Sequence, residues 1–471
     1  MTMSVRIKNL IWIFIDKVGL VALSLVTFLF FAYYLTPTEL GVGVFIIAIY
    51  ELFGVFLNMM LEDPLIRRDR IDSKSISTLL LFGSLISIFI VLIFTFISYI
   101  SANDVDYSLL VLLAGFKLVF TVLSRPFIAA LRKARKFKKL ALRTLLGKVV
   151  GSLVAIFLAS QEYGSLAVVS QGVVMEWVAF STLLIFTDSW FSRKVSLSLF
   201  IEIMREGVPA AIKTSCNSVY ERGVIIILGI VTSAEIVGLF SFGKRLIELP
   251  LSSLTTGLTS YSVPALASRN QNLADQARFL IDIAAAVALL FIPFFAVVAT
   301  TGGEFITPIF GNKWSDAIPF FQLFAVIAIF KVISIFIPGY LVSNGAARIG
   351  LVPEVINSLI GLLLIYVASQ IYSYQCIFFL IPMTVLIHMV SRLRSASKVR
   401  GEVPLALAYK IIPVLLVSAL TSLVFLVVSN NMELNLYTSS LLAACHLLMM
   451  YLLLYVFCRR SVKMTFSLIK G

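Results

Sequence analysis

Apolar runs of about twenty residues, separated by short polar joints, follow one another along the whole chain. A bilayer core about 30 Å thick takes about 20 helical residues to cross, so each run predicts one transmembrane helix. Fourteen are expected, near 10–35, 39–61, 76–100, 108–131, 140–160, 165–187, 207–231, 236–265, 277–299, 317–343, 349–369, 373–391, 405–428 and 437–457. The eighth is the least hydrophobic. Strands of a membrane barrel would alternate in character over about ten residues, and these runs are continuous. The first run carries Asp16 and Lys17, continues to about Leu35 and shows no small-residue cleavage site. It therefore predicts a retained helix and not a removed signal peptide.

Composition agrees with this pattern. The chain is 60% hydrophobic with a mean hydropathy of +1.02, against about 45–50% apolar residues in a soluble domain. The expected fold class is an all-α polytopic membrane protein with about 14 transmembrane helices. A net charge of +14 would suggest nucleic acid in a soluble protein, but here the loops explain it. Alternating the spans places 27 of the 38 bases on the side of both termini and one, Lys313, on the other. The remaining ten lie inside spans. Acids outside the spans divide nearly evenly, as expected of a rule that concerns only Lys and Arg. Both termini are thus expected in the cytoplasm. The strongest orienting element is the acid-free cluster Arg132, Lys133, Arg135, Lys136, Lys138, Lys139 and Arg143, an anchor expected to tolerate single substitutions.

An inner connection, 188–206, is a candidate amphipathic surface helix and divides the chain near its middle. The expected organisation is an N-terminal bundle over 1–187, the linker over 188–206, a C-terminal bundle over 207–391, and two accessory helices with a basic tail over 392–471. A weak internal repeat crosses the divide. Leu35-Thr36-Pro37-Thr38-Glu39-Leu40 is echoed by Val231-Thr232-Ser233-Ala234-Glu235-Ile236, Asp16-Lys17 by Glu221-Arg222, and Glu51 by Glu248. Two parallel repeats with a substrate site between them form a transporter architecture.

With Arg143, Arg278 and Glu39, at span edges, counted with their loops, seventeen ionisable residues fall inside the expected spans: ten bases and seven acids. Each costs about 3 kcal/mol at a helix centre, or on the order of 50 kcal/mol for all of them facing lipid. Most must therefore line a polar interior or pair with one another. Lys148 and Lys410, near cytoplasmic ends, are expected to snorkel. Lys244 and Arg245 can pair locally with Glu248. Lys213, Asn217 and Glu221 form one polar stripe. Lys117, Arg125, Lys213, Arg222 and Lys331 are the candidate substrate-binding residues, with structural pairing across helices as the competing reading. Asp16 and Glu221 are candidates for ion coupling. The excess of three bases favours an anionic substrate.

Other chemistry is sparse. The four cysteines lie in or beside apolar runs without metal-ligand spacing, so neither zinc nor a disulfide framework is expected. His388 and His446 read as packed or hydrogen-bonded side chains. Gly238 to Lys244 fits GxxxxGK, but Arg245 follows where Ser or Thr is needed and no strand precedes it, so it is rejected as a phosphate loop. Gly147 and Gly151 form a GxxxG pattern, read as close helix packing. No cofactor or metal is expected.

Three stretches carry a family likeness. One is Arg125-Pro126-Phe127 with Ala130-Leu131-Arg132-Lys133, Lys136-Phe137-Lys138-Lys139-Leu140-Ala141 and Gly164. The second is Val237-Gly238-Leu239-Phe240 leading to Lys244-Arg245 and Glu248-Leu249-Pro250. The third is Gly311-Asn312-Lys313-Trp314 with Ala317. In these the chain resembles the bacterial polysaccharide exporters, or lipid-linked oligosaccharide flippases, of the multidrug/oligosaccharidyl-lipid/polysaccharide superfamily, nearest the colanic acid exporter branch. The resemblance implies two pseudo-symmetric six-helix bundles plus two C-terminal helices in a bacterial cytoplasmic membrane. It implies alternating-access transfer of an undecaprenyl-diphosphate-linked glycan, driven by a proton or sodium gradient, beside a glycan polymerase or other assembly machinery. A multidrug extruder of the same superfamily would favour internal acids for cationic drugs. A membrane glycan polymerase or ligase would need larger catalytic loops than the short outer joints here.

Overall fold

The computed structural model describes residues 3–186, 192–269, 272–430 and 436–457; side chains at some positions within 3–14, 210–217 and 253–263, and at 430 and 436, fall outside that description. All regular structure among the described residues is helical. In chain order the helices are α1 (Met3–Tyr34), α2 (Pro37–Arg67), α3 (Ser73–Ala102), α4 (Val105–Lys133), α5 (Phe137–Ser160), α6 (Ser165–Phe186), α7 (Leu197–Val231), α8 (Ala234–Ala267) and α9 (Leu273–Thr301). Then come α10 (Ile306–Phe310), α11 (Ile318–Ser334), α12 (Ile337–Ser343), α13 (Ala347–Ile371), α14 (Ile377–Val399), α15 (Glu402–Asn430) and α16 (Leu436–Phe457). Twelve helical segments among the described residues are long and apolar enough to cross a membrane, two fewer than the fourteen expected. The expected seventh and eighth spans are present as α7 and α8. They are 35 and 34 residues long, and each contains positions outside the described residues, to which the count of twelve is confined.

Local chemistry sets the ends. Thr36 caps α2 in a reciprocal box: the Glu39 backbone N–H donates to the Thr36 hydroxyl at 3.3 Å, and the Thr36 N–H donates to the Glu39 carboxylate at 2.8 Å. Pro37 follows at the first helical position, where its missing N–H costs nothing. Asp72 and Asp104 cap α3 and α4. The tenth expected span is broken between Ser334 and Ile337, because Pro338 cannot donate to the carbonyl of Ser334. In the expected linker, residues 192–196 lack helix and Leu197 begins α7. Its C-terminal half is therefore the start of a long helix, not a separate surface element; 187–191 lie outside the described residues.

The described chain forms two compact units, Met1–Gly238 and Leu239–Gly471. In the first, α2 is central and packs on α4, α6 and α7. Its contact with α7 and the start of α8 is made by glycines. A Cβ on Gly41 would stand 1.7 Å from the Ala234 carbonyl oxygen, and one on Gly238 would stand 1.8 Å from that of Pro37. Lower down, a Cβ on Gly207 would lie 2.3 Å from the Met60 carbonyl oxygen. Beyond it Arg68 bridges Glu202 at 2.6 Å and Glu206 at 3.1 Å. The GxxxG pair acts as its spacing implies: Gly147 and Gly151 lie against the Met175 and Gln171 carbonyls of α6, where a Cβ would come within 2.5 and 2.7 Å.

The second unit is built around α9, which packs on α11, α15 and α16. Between the expected ninth and tenth spans the chain forms short helices. Gly311, at φ 90°, turns the chain so that Trp314 is fully buried and stacks on Phe242 at 4.0 Å between ring centroids. Gln276, also fully buried, donates to the Leu266 carbonyl at 2.8 Å and the Ser343 hydroxyl at 3.0 Å. His446 is buried and stacked on Phe425. Gly238 and Lys244 lie within the continuous helix α8, so the GxxxxGK match is not a loop.

The internal repeat is real at the level of helix starts, with its register shifted by one residue. Ser233 accepts the Ile236 N–H at 3.4 Å, as Thr36 accepts that of Glu39. Thr36 thus matches Ser233 and not Thr232, and Glu39 matches Ile236 and not Glu235. Gly41 then falls opposite Gly238 and Glu51 opposite Glu248, each acid fifteen residues beyond its cap.

Candidate substrate-binding site

Helical spacing places the charges of the first unit in two stripes. On α2, Glu51, Val55, Asn58 and Glu62 recur at intervals of three or four. On α4, Lys117, Thr121 and Arg125 do the same. Such positions share a face, and α2 and α4 are neighbours, so the stripes meet. Lys117 pairs with Glu51. Its aliphatic stem runs past Gly172 of α6, where a Cβ would come within 2.9 Å of it. Arg222 of α7 reaches the other oxygen of Glu51 at 2.9 Å. Deeper along the stripe, Arg125 pairs with Glu62 at 3.2 Å and donates its Nε to the Thr121 carbonyl at 3.2 Å. Arg132 completes the triad on Glu62. Arg143 of α5 bonds Glu176 of α6 at 3.4 Å.

A cavity of about 250 Å³ opens among these groups, lined by Glu51, Asn58, Lys117, Arg125, Glu176 and Arg222 together with Tyr50, Gly54 and Thr121. Three bases and two acids give it one net positive charge. Glu51 is 25% exposed, whereas Glu62 is 2% exposed. The upper pairs can therefore meet a ligand, whereas the Glu62 carboxylate is sealed between Arg125, which lines the cavity, and Arg132, which is half-exposed.

Of the expected substrate-binding residues, Lys117, Arg125 and Arg222 come together here. Lys331 is in the second unit, where it bonds Glu248 at 3.2 Å, and Lys244 approaches the same carboxylate at 3.7 Å. The side chain of Lys213 lies outside the described residues. Asp16 sits on α1 beside Thr144 of α5, with one carboxylate oxygen buried and without a hydrogen-bond partner. Glu221 is half-buried on α7 and does not line the cavity. Sequence reasoning left Glu51, Asn58, Glu62 and Glu176 out of the site, although the period of the α2 stripe was available. Glu62 fell just past the expected end of its span.

Three other expectations are corrected. Lys410 is not left to snorkel but bonds Asp282 of α9 at 2.6 Å, an acid that packing of α15 on α9 brings within reach. Lys148 is buried among helices. In the basic cluster, Arg132 and Arg143 are held by buried or half-buried acids and Lys139 donates to the Phe186 carbonyl at 2.8 Å. That cluster is part anchor and part framework.

The described residues are thus all-helical, with an internal repeat and a charged cavity among long apolar helices. The fold is similar to the lipid II flippase MurJ in an inward closed conformation, with a TM-score of 0.71 over 97% of this chain and all of that one at 14% identity. It is also similar to an inward-facing multidrug resistance MATE family transporter of the MOP superfamily, with a TM-score of 0.54 over 82% of this chain and 94% of that one at 16% identity. Residues 30–319 match the family model for polysaccharide biosynthesis proteins, and the chain belongs to that family. Among curated proteins it is similar to the teichuronic acid biosynthesis protein TuaB of Bacillus subtilis, 24% identical over 110 residues; the match spans 23% of each chain.

Proposed function

We propose that the protein carries an anionic, lipid-linked glycan, of the undecaprenyl-diphosphate-linked oligosaccharide type, across the bacterial cytoplasmic membrane by alternating access. In this reading it acts as a transporter and not as an enzyme, its termini face the cytoplasm, and it works beside a glycan polymerase or other assembly machinery. The observation that carries the reading is the cavity among long helices that holds Lys117, Arg125 and Arg222 and has a net positive charge. Guanidinium and ammonium donors there match the oxygens of a diphosphate or a sugar acid, and the lipid tail stays in the bilayer. Membership of a polysaccharide biosynthesis family and a fold shared with a lipid II flippase support the same substrate class. A drug extruder would gain nothing from three bases in its cavity. Transport is coupled to a proton or sodium gradient, for which Asp16 and Glu221 are the candidate residues.

Removing the protein from its host should leave one lipid-linked glycan accumulating on the inner leaflet, identifiable by mass spectrometry of extracted lipids. In the complemented strain, Lys117→Met and Arg222→Gln should each lower surface glycan about ten-fold or more, since a hydrogen bond to a charged group contributes about 1.5–3 kcal/mol. The protein should still insert normally. Unchanged surface glycan in both variants and in their combination would remove the cavity from the transport path.

A further inference from the structure

The repeat does more than duplicate helices. Glu51 stands fifteen residues after the cap of α2, and Glu248 fifteen after the cap of α8, the second helix of each repeat. The lysine that meets each acid comes from the fourth long helix of its repeat: Lys117 on α4 and Lys331 on α11. Each carboxylate also holds a second cation, Arg222 for Glu51 and Lys244 for Glu248. An acid touched by two bases, one of them the lysine from the fourth long helix, therefore recurs in each unit as a three-charge station, the second base coming from α7 at Glu51 and from the acid's own helix at Glu248. Both stations are partly open, with Glu51 and Glu248 at 25% and 30% exposure. The Arg125–Glu62–Arg132 group is the internal contrast: the same charges about an acid that is only 2% exposed.

We infer that Glu51 and Glu248 are built-in counter-ions that hold the cations of two repeat-related anion stations until an acidic group of the passenger displaces them. The inference rests on the transport reading above. An empty station cannot leave two bare cations at membrane depth, where an uncompensated charge is costly. A single carboxylate answers that need while leaving one positive charge over. A diphosphate or phosphodiester brings more charge and more acceptor oxygens than a carboxylate, and meets an Arg fork and a Lys together better than Glu51 does. Exchange of one anion for another keeps an acidic group against the cations throughout, so binding and release proceed without leaving them bare. The first station, with its guanidinium, suits a diphosphate group. The second, with two lysines, suits a less directional acid such as a sugar carboxylate or a single phosphate.

The test is binding of inorganic diphosphate to the full-length protein in lipid nanodiscs, read by calorimetry. The loop variant Lys136→Gln controls for non-specific attraction. Removing a counter-ion removes its competition, so Glu51→Gln is expected to bind diphosphate about ten-fold tighter than the unchanged protein, as the loss of an adjacent like charge predicts. Glu248→Gln should tighten binding at the second station, and Lys117→Met and Lys331→Met should weaken it. Tighter binding with slower release should also make Glu51→Gln poor at export. Affinity unchanged or weakened in both Gln variants, with the Lys variants still weak, overturns the counter-ion role and leaves the transport reading standing. Binding that no variant alters, matching the Lys136→Gln control throughout, overturns both. Should Glu51→Gln not yield folded protein, Glu51→Asp draws the carboxylate back from Lys117 and should tighten binding by a smaller factor; an unchanged affinity there counts against the inference equally.

Discussion

Glu62→Ala is expected to lower the stability of the first unit by about 3–5 kcal/mol, the usual result of removing one partner from a buried charge group. Glu62 is 2% exposed and holds both Arg125 and Arg132. Its loss leaves two guanidinium groups facing each other, with Arg125 itself only 15% exposed. The cost comes less from the attraction lost than from the charge of Arg125 left without its acid in a largely buried position, since Arg132 is 50% exposed and reaches water. Thermal unfolding of the purified protein in detergent measures the effect. A second substitution separates the two contributions: Arg132→Met in the Glu62→Ala background should recover part of the loss, because one of the stranded cations is gone. A melting temperature that Glu62→Ala does not move would mean that water or lipid headgroups neutralise the arginines.

The second large effect is expected at Gly41 and Gly238. A methyl group at either position would overlap a backbone carbonyl oxygen at less than 2 Å, and backbone cannot rotate away as a side chain can. Gly41→Ala and Gly238→Ala should each destabilise the first unit by at least the 1–3 kcal/mol typical of overpacking, by about the same amount as each other. The two glycines face each other across one contact, so the double variant should cost much less than the sum of the singles. Once the helix ends have been pushed apart, the second methyl enters space already opened. Additive losses in the unfolding measurement would show that the two positions act separately.

The helices were legible in the sequence because each apolar run has the length of a membrane crossing, and the caps at Thr36, Asp72 and Asp104 lie where the runs begin. Fourteen crossings were expected and twelve segments among the described residues qualify by length and composition; α7 and α8 are present as long helices with positions outside that description. Charge partners were harder still. Lys117 and Lys331 have no acid three or four residues away, and their partners, 66 and 83 residues distant, become neighbours only through packing. Arg132 read as an anchor because its acid, Glu62, lay just beyond the expected end of the second span, where α2 in fact continues to Arg67. The repeat was visible as a string of similar residues, but its register was off by one until the caps fixed it. A cap is a hydrogen bond and not a residue type, so Thr232 and Ser233 could not be told apart by eye.

The distance between partners also bears on how the chain is made. Helices leave the ribosome in order, and α2 emerges with Glu51 and Glu62 well before Lys117, Arg125 and Arg132 exist. Released alone into lipid, α2 would carry two unmatched carboxylates. The insertion machinery must therefore retain it until α4 arrives. Asp282 makes the same demand of α9, over the 128 residues that separate it from Lys410. Biogenesis of this protein should accordingly proceed in blocks of several helices, and a ribosome stalled between α2 and α4 should leave α2 still crosslinkable to the translocation channel.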